Sequence, residues 1–268
     1  YLQQSTAGFS GQGWGSPGDA FVPGDYDGDL KWDLAVWRAG SPANFYILNS
    51  LTNTLRVEAF GTSGDSPLTS QDFDGDGKCD PAVTRNTGGS VTWYILRSSL
   101  GFTGVTFGNA STDARIRGDF DGDGKADIAV YRNSSGSPAN TFFVLRSSDG
   151  AMQSAAFGIS NTDYLIPADF DGDGKTDYAV WRGVGAGTNG TWYWLRSSDG
   201  VFQANTFGTG NLDLPVPGDY DGDGRTDQAV WRPGSPSTFY VNRSTAGFTA
   251  LPFGTTGDTP PAFSLQAR

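Results

Sequence analysis

Apolar residues along this chain come in short runs of four to seven, rich in Val, Ile, Tyr, Trp and Phe and bounded by Gly, Ser or Asn. No run reaches helical length, so the pattern predicts strands throughout. The runs also recur in a fixed series. One set reads LAVWR (34–38), PAVTR (81–85), IAVYR (128–132), YAVWR (178–182) and QAVWR (228–232). An aromatic-led segment follows each: FYILNS (45–50), WYILRSS (93–99), FFVLRSS (142–148), WYWLRSS (192–198) and FYVNRST (239–245). A third segment closes on Phe-Gly, at Phe60, Phe107, Phe157, Phe207 and Phe253, and a Pro-rich or apolar run such as LIPAD or LPVPGD completes the unit.

Four strands in each unit of 47 to 50 residues predict an all-β fold, a β-propeller of four-stranded blades. The expected organisation is a single propeller domain over 1–268, with repeats at about 21–65, 66–113, 114–163, 164–213 and 214–258. The segments YLQQS and GQGWGS read as the third and fourth strands of a further unit, and STAGF occurs both at 5–9 and at 244–248. The C-terminal TPPAFSLQAR resembles a first strand. Residues 1–20 plus 259–268 are therefore expected to close a composite sixth blade, with five blades or part of a longer array as alternatives.

Between the first and second strands of each unit lies an Asp-rich loop. The five read DYDGDLKWD (25–33), DFDGDGKCD (72–80), DFDGDGKAD (119–127), DFDGDGKTD (169–177) and DYDGDGRTD (219–227). Asp at loop positions 1, 3, 5 and 9 suits Ca²⁺, which takes six to eight hard oxygens at about 2.3–2.6 Å, and alternate carboxylates on a curled loop converge on one point. The predicted ligands are Asp25, Asp27, Asp29, Lys31 and Asp33; Asp72, Asp74, Asp76, Lys78 and Asp80; Asp119, Asp121, Asp123, Lys125 and Asp127; Asp169, Asp171, Asp173, Lys175 and Asp177; and Asp219, Asp221, Asp223, Arg225 and Asp227. The basic residue at position 7 is expected to offer its backbone carbonyl while its cation points to solvent. Gly at position 6 takes the sharp turn, so Leu30 predicts a strained first loop. Position 12 is Val in all five loops rather than the bidentate Glu of a helix-loop-helix hand.

Composition then changes meaning. Of 29 acidic residues, 20 stand in these loops, and five Ca²⁺ ions would bring the net charge of −11 to about −1. The acidity is thus mostly ligand and says little about partners. The chain has no His, which removes the commonest general base, and one Cys, Cys79, which excludes an intramolecular disulfide. The recurring Asp19, Asp65, Asp113, Asp163, Asp213 and Asp258 read as turn contacts, and the strand-end arginines as braces against aromatic rings. Trp93, Trp181, Trp192, Trp194 and Trp231 are candidate sugar platforms, although core packing fits their strand positions better.

The Phe-Gly pairs, the GDYDGD or ADFDGD approach and the AVWR strand resemble the FG-GAP/VCBS repeats of integrin-α-like propellers, in their bacterial or fungal-lectin type. The resemblance implies calcium between the first two strands of each blade. It supports the expectation of a secreted or cell-surface binding or adhesion module without catalytic activity, taking a protein or glycan ligand, with no nucleic acid and no membrane insertion. A lectin with inter-blade sugar sites and a self-assembling structural protein are the alternatives. The N-terminal YLQQSTAGFS carries neither a basic nor an apolar leader, so secretion would imply a signal already removed.

Overall fold

The computed structural model describes residues 1–67, 70–133, 140–159, 163–183 and 187–260, and these contain strands and turns but no helix. After a short hairpin, β1 (Leu2–Gln4) and β2 (Gly8–Ser10), the first blade comprises β3 (Ala20–Phe21), β4 (Leu34–Arg38), β5 (Asn44–Leu48) and β6 (Leu55–Ala59). The second has β7 (Ala82–Thr87), β8 (Ser90–Arg97) and β9 (Gly101–Asn109), with its first-strand position marked by the Ser66–Thr84 bridge. The third is β10 (Asp113–Ile116), β11 (Ile128–Arg132), β12 (Thr141–Leu145) and β13 (Met152–Ala156). The fourth is β14 (Asp163–Leu165), β15 (Tyr178–Arg182), β16 (Asn189–Leu195) and β17 (Phe202–Thr209). The fifth is β18 (Leu214–Pro215), β19 (Gln228–Arg232), β20 (Thr238–Arg243) and β21 (Gly247–Pro252). Every blade is an antiparallel meander in chain order, the expected all-β propeller pattern, and five blades are present among the described residues.

Five is thus the lower of the counts the sequence allows. Of the expected composite blade, YLQQS supplies β1, but its partner β2 is Gly8–Ser10 rather than the expected GQGWGS, which forms no strand, and the C-terminal strand falls from residue 261 onward outside the described residues.

The chain divides into two compact units. One is Trp14–Ala156, with blades one to three; the other joins Tyr1–Gly13 to Phe157–Arg268, with the hairpin and blades four and five. Each unit has its own cores. In the first, Phe45, Ile47, Trp37 and Val22 pack in one cluster, and Trp93, Ile95, Val91 and Val130 in another. In the second, Trp181 and Trp192 pack with Ile166 and Val230. Each such side chain, fully buried, contributes about 1.5–3 kcal/mol.

Of the five tryptophans expected as core, four are buried and Trp194 is half-buried against the Trp181–Trp192 cluster. Trp93, Trp181, Trp192 and Trp231 are buried, which removes them as sugar platforms. Trp93, Trp181 and Trp192 also donate their indole N–H to Phe-Gly carbonyls, Trp93 to Phe107 at 3.0 Å and the other two to Phe207 at 3.2 and 3.0 Å. The Phe side chain of one blade meets the fourth-strand Phe of the next: Phe60 with Phe102, and Phe207 with Phe248, both edge to face at 6.3 Å. The Phe-Gly motif therefore serves both inside its blade and against the following one.

Candidate metal centres

Each loop is curled by its own first aspartate. In the second loop, Asp72 Oδ1 accepts the N–H of Gly75 at 2.6 Å, and its Oδ2 accepts that of Gly77 at 2.8 Å. The same two bonds occur in all five loops. The turn places position 6 in the left-handed region, at φ of 83° or 84° for Gly77, Gly124, Gly174 and Gly224. Leu30 is held there too, at φ 65° with its side chain 92% exposed, as expected of a strained first loop.

Position 9 anchors the loop from below. Asp33, Asp80, Asp127, Asp177 and Asp227 are buried. One oxygen of each accepts the position-2 N–H at 2.7–2.9 Å, and the other accepts the N–H of a serine in the turn between the third and fourth strands at 2.6–2.7 Å. Burial pushes Asp80 and Asp177 up to about 6, against the lowering effect of those two N–H donors.

That turn is a second wall of the site, and the sequence reading passed over it. The hydroxyls of Ser50, Ser98, Ser147, Ser197 and Ser244 donate to the position-5 carboxylates at 2.5–2.8 Å. The next residues grip position 3. Asp74 Oδ2 accepts Ser99 N–H and Oγ–H, both at 2.8 Å, and Leu100 N–H at 3.0 Å. Asp221 Oδ2 accepts the equivalent three from Thr245 and Ala246. The signal was in view as the RSS or RST that closes four of the five aromatic segments, with Asn49-Ser50 in the first.

With these partners assigned, one oxygen stands out. Oδ1 of Asp27, Asp74, Asp171 and Asp221 is buried and accepts no hydrogen bond. In the third loop, Asp121 Oδ1 is instead engaged by Asp123 N–H at 3.2 Å. Carboxylate oxygens of Asp25, Asp27 and Asp29 lie within 4.8 Å of one another, as do those of positions 1, 3 and 9 in each of the other four loops. Two oxygens bound to one Ca²⁺ can stand at most about 5 Å apart, so these sets fit around a single ion. A buried, charged and unpartnered oxygen facing other carboxylates is costly without a cation. The donor set is all hard oxygen, which suits Ca²⁺ or Mg²⁺ rather than a soft metal.

The position-7 residues make further contacts. Their backbone N–H groups donate to position 5 at 2.9–3.0 Å. The side chains of Lys78, Lys125 and Arg225 also make contacts outside their own loops. Their stems lie across the position-4 glycines of the preceding loops, Gly28, Gly75 and Gly172, so close that an added Cβ would stand 2.9–3.2 Å away. The reason is the spacing of successive blades. The position-8 N–H of one loop donates to the position-1 carbonyl of the loop before, Cys79 to Asp25 and Ala126 to Asp72 at 2.6 Å, and Thr226 to Asp169 at 2.7 Å. Within each unit, neighbouring loops are thereby chained together. Lys31 alone reaches its own loop, 3.1 Å from Asp29. Cys79 is packed where a Cβ on Gly24 would stand, and burial pushes its thiol up to about 12.

The recurring acids outside the loops make the expected turn contacts, as where Asp65 Oδ2 accepts the N–H of Thr62 at 2.9 Å, and they also take Arg partners that sequence spacing did not show. Arg38, Arg85, Arg132, Arg182 and Arg232 each fork onto Asp19, Asp65, Asp113, Asp163 and Asp213 across the first and second strands, with Nε–Oδ1 distances of 2.6–2.8 Å. Each guanidinium lies over the ring of Tyr46, Tyr94, Phe143, Tyr193 or Tyr240 at 4.7–5.1 Å, the expected bracing.

Blades of this pattern, each with an Asp-rich loop after its first strand, define a repeat β-propeller, and comparison with known proteins assigns the family. The model of the FG-GAP-like repeat matches residues 72–130, 119–180 and 169–230, each match opening on a position-1 aspartate. The chain belongs to the FG-GAP repeat family. Among solved structures it is similar to TolB from Acinetobacter baumannii, at 18% identity and a TM-score of 0.57, over 89% of this chain and 55% of that one. The chain thus spans little more than half the length of that structure, and the likeness is one of fold. No curated protein matches it.

Proposed function

We propose that the protein is a calcium-stabilised, extracellular binding or adhesion module that carries no catalytic group of its own. The observation behind this reading is the buried, unpartnered Oδ1 at position 3 in four of five loops. When bound, Ca²⁺ supplies the positive charge that lets three or four carboxylates share one small volume. The residues do the rest. Positions 1 and 3 would hold the ion together with position 5 in the first loop and position 9 in the other four, joined by the position-7 carbonyl, and the Ser turn holds the loop on its blade. Simple loops of this kind work at the high calcium level outside cells, which supports an extracellular location. The exposed cations and rings along the blades offer a surface for a protein or glycan ligand.

The reading is tested with calcium-loaded protein on a glycan array and on surfaces coated with matrix proteins, with and without EDTA. Saturable capture of one ligand class that disappears with EDTA is expected. Absence of capture on both panels would overturn the binding role.

A further inference from the structure

Between the second and third blades, inside the Trp14–Ala156 unit, lies an open cavity of about 250 Å³. Phe73, Ile95, Val105, Ile128 and Leu145 give it an apolar floor, and Arg97, Lys125 and Arg146 are its charged lining. Among the described residues the lining holds no carboxylate and no side-chain amide.

The matching positions between the fourth and fifth blades carry different chemistry. Val105 pairs with Trp93 as Asn205 pairs with Trp192, and Ile128 pairs with Leu145 as Gln228 pairs with Asn242. There Gln228 Oε1 accepts the side-chain N–H groups of Asn205 and Asn242. Trp194 takes the place of Ile95 and packs against Phe170, ring centroids 5.6 Å apart. An amide network and an indole thus stand where the second and third blades present only aliphatic side chains.

The charges differ too. Arg146 and Arg196 each fork onto an aspartate three residues on, Asp149 and Asp199. Three residues beyond Arg97 stands Leu100, 59% exposed. Arg97 is left with neutral acceptors, the carbonyls of Gly101 at 3.2 Å and Leu100 at 3.5 Å. Lys125 lays its stem across Gly75 and, like Arg97, pairs with no acid among the described residues. Arg243 has the same carbonyl-only turn, so the turn alone marks no site; at Arg97 it borders the cavity.

An apolar recess edged by uncompensated cations favours an amphipathic anion, whose body gains from burial while its carboxylate takes a forked, charge-assisted bond. A dry cavity of about 150 Å³ takes a benzene ring, so this one suits a body of about ten carbon atoms. A sugar would find no side-chain acceptor for its hydroxyls. A peptide would bury amides beside Ser147, whose N–H and hydroxyl are already given to Asp127 and Asp123.

We propose that this cavity binds a small apolar carboxylate, an aryl or medium-length acyl acid, with its body on the Ile95–Val105–Ile128 floor and its carboxylate on Arg97 beside Lys125. The site gives the binding role proposed above a ligand chemistry, and it rests on that reading only in taking the chain to be a binder. It uses no metal.

The test titrates naphthoate, ten ring carbons bearing one carboxylate, into the full calcium-loaded chain by isothermal titration calorimetry, with naphthylmethanol as the uncharged control. Saturable one-to-one binding is expected, about tenfold tighter for the acid than for the alcohol and weakened about tenfold by Arg97→Gln, as for loss of a charge-assisted fork. Leu100→Asp, which sets a carboxylate three residues from Arg97 as Asp149 and Asp199 are set, should weaken it equally with Arg97 still in place. Leu100 is exposed and Arg97 half-buried, so both variants keep the fold, and a circular dichroism melt verifies that. No binding, equal binding of acid and alcohol, or binding indifferent to both variants overturns the site, even where the chain captures a ligand on the glycan or matrix panels. Naphthoate binding as expected with both panels blank supports the site and removes the adhesion role. A peptide ending in a Phe carboxylate that binds more tightly than naphthoate, and loses affinity with Arg97→Gln, overturns the small-acid class in favour of a protein terminus.

Discussion

Replacing Asp74 by Asn separates a metal loop from an ordinary Asx-rich turn, because the two predict opposite signs in two buffers. Asp74 is buried; its Oδ2 accepts three hydrogen bonds, whereas its Oδ1 accepts none. Burial raises its pKa, but the Ser99 hydroxyl and the Ser99 and Leu100 N–H groups outweigh it and hold the group below the usual carboxylate value, so it is charged at neutral pH. An Asn carbonyl can take over the three hydrogen bonds while its NH₂ replaces the free oxygen. In calcium, the site loses one charged ligand, a cost of about 1.5–3 kcal/mol by analogy with charged hydrogen bonds. That corresponds to roughly 3–12 °C in Tm for a domain of this size. In EDTA, the same change removes a buried charge facing other carboxylates and adds a donor among acceptors, a gain of about 1 kcal/mol or roughly 2–4 °C. Differential scanning calorimetry in calcium and in EDTA reads both. A shift of the same sign in both buffers would refute the idea that this oxygen is held for an ion.

Leu30→Gly should raise Tm by about 2–4 °C in calcium, since a non-glycine residue in the left-handed region costs about 1–2 kcal/mol and Gly gives part of that back in unfolded-state entropy. The calcium affinity of the first loop should rise with it, read by titration calorimetry. Arg132→Lys, which replaces a fork onto the buried Asp113 by a single contact, should lower Tm equally in calcium and EDTA by roughly 2–5 °C. For pH, Asp80 and Asp177 stand at about 6 in the metal-free fold against about 3.9 unfolded, so the native state holds more protons between those values. Stability in EDTA should therefore increase as pH falls from 7 towards 4, whereas the calcium-loaded protein should lose stability as its ligands protonate. Melts across pH 4–7 in both buffers check the contrast.

Most strand positions, the loop boundaries and the strained Leu30 were legible because each depends on residues adjacent in sequence: a short apolar run, a nine-residue loop, a glycine at one turn. The parts that were not legible depend on partners far along the chain. Ser98 reaches Asp76 across 22 residues, and Arg85 reaches Asp65 across 20, so local pattern reading sees only unpaired polar residues. The Lys78 and Lys125 stems lie over glycines of the preceding blade, a contact set by blade spacing rather than by the loop itself. The blade count depended on how the hairpin at residues 2–10 is used. Its identity with 244–248 was visible, but its role needed the Phe9–Phe253 contact.

Convergent carboxylates that need an ion in every blade are tested most directly by counting ions. Native mass spectrometry of the full chain, exchanged into ammonium acetate with calcium, should show five calcium ions per chain, all removed by EDTA. A chain that stays folded and carries no bound calcium under those conditions would contradict it.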